Sequence, residues 1–314
     1  MRKVIVMTII LLVMLLAGCS GQTAEPQTLR IAVLPILDAL PMHAALQHGY
    51  FEERNLTVEL VPVTSGPERD QLMQSGQVDG MINEIVSVIF YNQADTEVVI
   101  VRFARAASAD SPVFSIVAAA DSGIETVEDL AGVEIGVSEA TVIDYMTDRV
   151  LQKAGLAPEE INMVAVPRIP DRLALLQSGE LPAATLPDPV TGLAVLQGAR
   201  VIIDDSTLPE VGTSVITFST EAVEQKPEAI RAFLAAVELA VEDLNSAPEE
   251  FTPLLSELGL VPEPLMASFV LPPYVTASVP TEAQWQDALD WALEKGMITS
   301  EPSYADSVDD SFLP

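Results

Sequence analysis

Alternation of short apolar strands with amphipathic helices predicts an α/β protein of two lobes, each a mixed, mostly parallel sheet flanked by helices. Three observations carry this. Strand–helix units joined by short loops repeat over residues 29–102 and again over 113–203. A strand at 214–219 then returns to the first series. The stretches near 107–112 and 204–213 read as two strand-like linkers, so the chain crosses between the lobes twice. The implied division is a signal peptide at 1–18, a tether at 19–28, a first lobe from 29–110 with 205–314, and a second lobe from 111–204.

The amino terminus reads as an address. Arg2 and Lys3 precede an apolar run over residues 4–17, interrupted only by Thr8. A comfortable span needs about 20 residues, so this layout is that of a secretory signal. It ends Leu16-Ala17-Gly18-Cys19, which looks like a bacterial lipobox, and Cys19 is the one cysteine of the chain. Small residues before it suit a signal peptidase, and lipidation of the thiol would anchor the chain. A plain signal peptide and an uncleaved anchor are the other readings. Residues 20–28 are polar and lack periodicity.

The first series opens with a strand at 29–34, being short, apolar and β-branched. A turn at 35–41 leads to a helix over 42–54, on which Ala45, Leu46 and Tyr50 share a face. Alternation predicts a strand over 56–63, then a turn at Thr64-Ser65-Gly66-Pro67 and a helix over 68–75. Strands follow at 78–82 and 97–102, with a helix over 85–92 between them. In the second series, strands are expected at 113–119, 133–137, 163–166, 181–186 and 201–203. Helices are expected over 126–131, 142–154, 171–178 and 189–197, with Gly155 and Gly179 as stops. A long helix over 226–245 repeats apolar residues at three and four, from Ile230 to Leu244. Helices over 248–257, 264–271 and 281–295 complete the chain, Trp285 and Trp291 serving as packing on the last.

Composition narrows the function. The chain has 46 acids against 15 Lys+Arg, a formal net charge of −31. Such a surface repels phosphate backbones, which excludes nucleic acid as a partner. It also repels anionic lipid, so membrane contact requires the anchor. With 49% hydrophobic residues of 314, disorder is excluded. One cysteine and two histidines, His43 and His48, leave no basis for a metal site or an internal disulfide, and no cofactor is expected. Residues 205–314 carry 20 acids against 3 bases, so their helices are read as a solvated exterior.

Several motifs stand together. Gly49-Tyr50-Phe51 is followed by an acid, and Ser75-Gly76-Gln77-Val78-Asp79-Gly80 closes the next helix. Asp129-Leu130-Ala131-Gly132 precedes a second-lobe strand, and Asp188-Pro189 follows a later one. Over residues 29–314 the chain resembles the solute-binding proteins of ABC importers in the nitrate, sulfonate, taurine and thiamine-precursor group. Where that pattern has Val-Asp-Ala, this chain has Leu181-Pro182-Ala183. The resemblance implies a type II periplasmic-binding-protein fold that closes over a solute by hinge motion. It also implies an extracytoplasmic, lipid-anchored monomer that delivers a small solute to ABC permease subunits.

Open α/β sheets bind ligands at the carboxyl ends of strands, where helix N-termini point. The first-lobe residues there are Asp38, Ser65, Gly66, Asn83 and Glu84. The second lobe contributes Ser138, Ala140, Thr141 and Asp188, and the return crossing contributes Thr213. Hydroxyls and backbone N–H groups suit an anionic oxygen, whereas carboxylates suit an amine or a heterocyclic N–H. Each residue also has a local role open to it. Ser65, Ser138 and Thr141 fit N-caps, Asp38 and Glu84 fit helix-start acids, and Asp188 fits a turn. Arg102 and Arg105 fit either an anion or nearby acids. Candidate cleft acids outnumber bases, which favours a thiamine-precursor-like heterocycle over a sulfonate.

An enzyme is disfavoured: there is no nucleophile elbow, phosphate loop or metal-ligand spacing. The fungal pyrimidine-synthesis enzymes that share the implied fold need a substrate histidine and a cysteine cluster. A sensor or partner-docking lipoprotein of the same fold is the alternative to an importer component.

Overall fold

The computed structural model describes residues 27–314. The signal peptide and the proposed lipidation site Cys19 lie outside the described residues. The chain begins with strand β1 (Gln27–Val33), helix α1 (Leu40–Gln47), β2 (Leu56–Pro62), α2 (Gly66–Gln74), β3 (Gly80–Asn83), α3 (Ile85–Tyr91) and β4 (Val98–Ala106). It continues through β5 (Phe114–Ala118), β6 (Glu134–Val137), α4 (Val142–Lys153), β7 (Asn162–Ala165), α5 (Ile169–Ser178), β8 (Ala183–Pro187), α6 (Val190–Leu196) and β9 (Arg200–Asp204). Last come β10 (Thr213–Ser219), α7 (Thr220–Gln225), α8 (Pro227–Ser246), α9 (Thr252–Glu257), α10 (Glu263–Met266), α11 (Glu282–Glu294) and α12 (Tyr304–Ser307).

These strands form two five-stranded sheets, ordered β2-β1-β3-β10-β4 and β7-β6-β8-β5-β9. The two share one plan. In the first, β1 pairs in parallel with β2 and β3, and β10 runs antiparallel between β3 and β4. In the second, β6 pairs in parallel with β7 and β8, and β5 runs antiparallel between β8 and β9. The antiparallel strand in each sheet is the one that follows a crossing. The parallel strands of each lobe therefore end on one edge, and helices start there.

One apolar core bridges the lobes. It joins Met81, Ile85 and Val88 of the first lobe to Val137, Met146 and Val150 of the second, with Trp285 and Trp291 between them. Two further cores lie on the far faces of the sheets, around Phe233 and Leu234 in the first lobe and around Leu176 and Leu186 in the second. Helix α11 also clasps α4 through polar contacts. Trp291 Nε1 donates to Asp148 Oδ2 at 2.9 Å, and Lys295 Nζ to Asp148 Oδ1 at 2.7 Å. Tyr145 donates to Asp287, which also meets Arg149 at 3.4 Å.

The crossings are cross-braced. Ala107 N–H donates to the Gly212 carbonyl at 2.8 Å. The buried Asp205 carboxylate accepts the Val113 and Phe114 N–H groups at 2.9 and 3.1 Å. Burial raises the Asp205 pKa to about 7, against these hydrogen bonds. The second crossing is not strand-like throughout: Asp205–Thr207 is a 3₁₀ turn, because Asp204 caps it through the Ser206 N–H at 3.0 Å.

Other expectations are also amended. The helix expected over 42–54 ends at Gln47, since Gly49 takes a left-handed φ of 74°, and it resumes as a 3₁₀ turn, Glu52–Arg54. The helix expected over 126–131 is a single 3₁₀ turn, Glu128–Leu130, with Gly132 at φ 74° just beyond. Of the helix expected over 264–271 only α10 forms, and the chain then runs irregularly to the prolines Pro272 and Pro273. Residues before proline are steered away from helical angles.

Candidate functional site

The strand ends of the two lobes face one another across a cavity. The first lobe contributes Leu34, Asp38, Gly66, Arg69, Asn83, Glu84 and Ser214; the second contributes Phe114, Ser138, Thr141, Val142, Ile169 and Pro187. Its volume for water-sized contents is about 70 Å³. One water needs about 10–15 Å³ by that measure, so the cavity suits a compact solute.

The first-lobe face is ionic. Arg69 lies on α2 and is 2% exposed. Its Nη1 donates to Glu84 Oε2 at 2.8 Å and its Nε to Asp70 Oδ1 at 2.8 Å. Nη2 reaches Glu84 Oε1 at 3.3 Å and Ser87 Oγ at 3.2 Å. Burial opposes the guanidinium charge, but Glu84 and Asp70 outweigh it and hold the pKa above the ordinary value. Burial raises the pKa of Asp70 despite Arg69. Asp38 follows β1, accepts the Ser214 hydroxyl, and lies 4.0 Å from Arg105 Nη1. Tyr274 braces this turn by donating to the Leu37 carbonyl at 2.8 Å.

Asn83 ends β3 and is 0% exposed. Its side-chain Oδ1 and Nδ2 have no hydrogen-bond partner. Buried amides are nearly always paired, so this one is anomalous unless something enters the cavity.

The second-lobe face is apolar with a helix start. Thr141 caps α4, its Oγ1 accepting the Ile143 N–H at 3.2 Å and donating to the Ser138 carbonyl at 2.7 Å. Arg172 is buried and donates to the Val166 carbonyl at 2.8 Å, bracing the loop that carries Pro167 and Ile169 into the lining. Burial lowers its pKa to about 10. The lobes touch at Gly66, where a Cβ would meet Thr141 Cγ2 at 3.5 Å.

Of the residues expected from sequence, Asp38, Gly66, Asn83, Glu84, Ser138 and Thr141 line this cavity. Four stand elsewhere. Ser65 caps α2 through the Glu68 N–H at 3.3 Å. Ala140 takes a left-handed φ of 56° and faces outer clefts, its N–H held by Asp144 Oδ2 at 2.9 Å. Asp188 lines a separate groove with Leu265 and Val270, and its Oδ2 is 3.5 Å from Arg105 Nη2. Burial raises the Asp188 pKa against Arg105. Thr213 pairs with Ala106 in the sheet, and its neighbour Ser214 reaches the cavity instead. Sequence reasoning missed Arg69 altogether. The signal was available in principle: it is the one base of a helix that starts at a strand end.

Other residues weighed from sequence have structural partners. Arg102 is paired with Glu238, Nη2 to Oε2, at 2.6 Å. His48 lies 3.3 Å from Asp243, and burial lowers the pKa of His43. Trp285 and Trp291 are buried in the bridging core. Among the described residues there is no cluster that could hold a metal ion, and no helix is long and apolar enough to cross a membrane.

Two mixed sheets with a cavity between their strand ends define a periplasmic-binding-protein fold. The chain belongs to the NMT1/THI5-like family, whose model matches residues 37–251. It is similar to a formylaminopyrimidine-binding protein of Halalkalibacterium halodurans, 25% identical over 53% of this chain and 51% of that protein. The chain thus matches about half the length of that relative. It is also similar to an Escherichia coli protein named as an aliphatic sulfonates-binding protein, 25% identical over 86% of this chain and 83% of that one. The crystal structure of the periplasmic aliphatic sulphonate binding protein of Escherichia coli superposes with a TM-score of 0.75. That likeness, at 25% identity, covers 90% of this chain and 92% of that one.

Proposed function

We propose that the chain is the extracytoplasmic solute-binding component of an ABC importer, not an enzyme. It captures a small polar or heterocyclic solute between its lobes and delivers it to permease subunits. The observation that carries this reading is the cavity itself, lined from both lobes by residues at strand ends. A solute touching both faces stabilises the closed arrangement over an open one. The named relatives, which bind a formylaminopyrimidine or aliphatic sulfonates, support the solute class.

The division into lobes at 29–110 with 205–314 and at 111–204 belongs to the same reading, supported by the membership of the two sheets. So does lipidation at Cys19, which would hold a monomer at the membrane and leave the acidic body in solution. Native mass spectrometry of the protein purified from its own host tests the proposal. A stoichiometric solute of low mass is expected, released on denaturation. Protein that carries no solute, and that gains no thermal stability from any small-molecule panel, would favour a docking lipoprotein instead.

A further inference from the structure

We propose that Arg105 is a positioning residue that couples the cavity to the angle between the lobes, by dividing its charge between Asp38 of the first lobe and Asp188 of the second. This rests on the solute-binding reading above. Arg105 lies near the end of β4, just before the first crossing, and is buried. Its Nη2 is 3.5 Å from Asp188 Oδ2, and its Nη1 is 4.0 Å from Asp38 Oδ2. Nη1 has no hydrogen-bond partner among the described residues. A charge-assisted N–H···O contact closes to about 2.7–2.9 Å. The guanidinium thus stands between two acids and is fully seated on neither. A shift of about 1 Å toward one completes that contact at the expense of the other.

Each acid is fixed to its own lobe. Ser214, opposite Arg105 on β10, donates its hydroxyl to Asp38, and Tyr274 holds the same turn through the Leu37 carbonyl. Asp188 N–H donates to the Val113 carbonyl at 2.8 Å, and the Val113 N–H is held in turn by Asp205 of the second crossing. Asp205 also feels the Arg105 charge. A buried guanidinium needs a carboxylate, so the two acids compete for it. Asp38 follows β1 and Asp188 follows β8, both on the facing edges of the lobes. Weakening the hold of Asp38 hands Arg105 to Asp188 and draws these edges together. Weakening the hold of Asp188 lets them part. Asp38 also lines the cavity, so the same competition connects the cavity to the lobe angle. The lobe angle is the two-state element that such a coupling requires.

Distances between two spin labels, one on each lobe, test this on the purified full chain. Labels are placed at the exposed positions Gln77→Cys and Glu159→Cys, with Cys19→Ser removing the one native thiol. Double electron–electron resonance then reads the closed (short) and open (long) populations without added solute. Asp188→Asn should lower the short-to-long ratio about threefold or more, and Asp38→Asn should raise it by a similar factor. In an Arg105→Gln background both shifts should vanish. Damage to packing would give neither opposite signs nor a dependence on Arg105. Shifts of one sign, no shift, or shifts that survive Arg105→Gln overturn the proposal. Should Asp188→Asn or Arg105→Gln not fold, Asp38→Asn decides it, and a ratio that is unchanged or lowered is the refuting result. Calorimetry with ethanesulfonate and with a formylaminopyrimidine keeps the underlying reading separate. A probe that binds should bind Asp188→Asn more weakly, because less of that variant is closed. Equal binding overturns the coupling and leaves the solute-binding reading intact. Protein that binds neither probe and carries no solute from its host defeats that reading, and the proposal with it.

Discussion

The two faces of the cavity are built by opposite means. On the first lobe, Arg69, Glu84, Asp38 and Ser214 are tied into buried polar networks. On the second, Thr141 caps a helix and Val142, Ile169 and Pro187 supply apolar surface. Two sheets of identical strand plan thus carry unlike chemistry. The difference teaches that the fold supplies an edge of strand ends, and that the residues placed there decide what the edge does.

The largest expected effect comes from breaking the ionic face. Glu84→Ala strands Arg69 with Asp70 alone in a buried setting and should cost about 3–5 kcal/mol, read by urea unfolding. A loss below about 1 kcal/mol would mean that the pair does not hold that face together. Next comes the seam between the lobes. Burial holds Asp205 protonated to about 7, whereas its ordinary value is 3.8. Between those values the folded chain keeps a proton that the unfolded chain has released. Stability from this group therefore falls as pH rises from about 4 to about 7, and is level above, by a few kcal/mol at most. The difference in stability between the parent chain and Asp205→Asn should change across that window and nowhere else; a pH-independent difference would refute the assignment.

The apolar face should respond less. Thr141→Ala removes the α4 cap and should cost about 1 kcal/mol, measured by thermal unfolding. An effect of several kcal/mol would show that this face depends on polar ties as the other does. The smallest effect belongs to the exposed pair between Arg200 and Glu125, 2.9 Å apart. Arg200→Ala should change stability by less than about 0.5 kcal/mol in thermal unfolding, and a larger change would mean that exposed pairs also help hold the fold.

Sequence reached the strand ends because each follows an apolar run directly. Asp38, Asn83, Glu84 and Ser138 are legible in that way, and Thr141 as the N-cap of the helix that follows. Arg69 is not, since it sits three residues into a helix where a base is normally solvated. Its burial follows from Glu84, fifteen residues on and across a strand, which no local pattern encodes. The excess of acids was visible, but its meaning was not. Asp38 and Glu84 are engaged by arginines and hydroxyls, so they are not the free carboxylates that an acid count suggests. The irregular run after α10 escaped because apolar residues there mimic a helical face until the prolines are weighed.

The clasp of α11 on α4 has a mechanical consequence. The two crossings are bonded to each other, so they act as one attachment between the lobes. The contacts of Trp291 and Lys295 with Asp148 are a second. A rigid body pinned at two places keeps a single freedom, rotation about the line that joins them. Any movement that preserves both attachments is therefore a swing on a fixed axle, and α11 serves as one of its bearings.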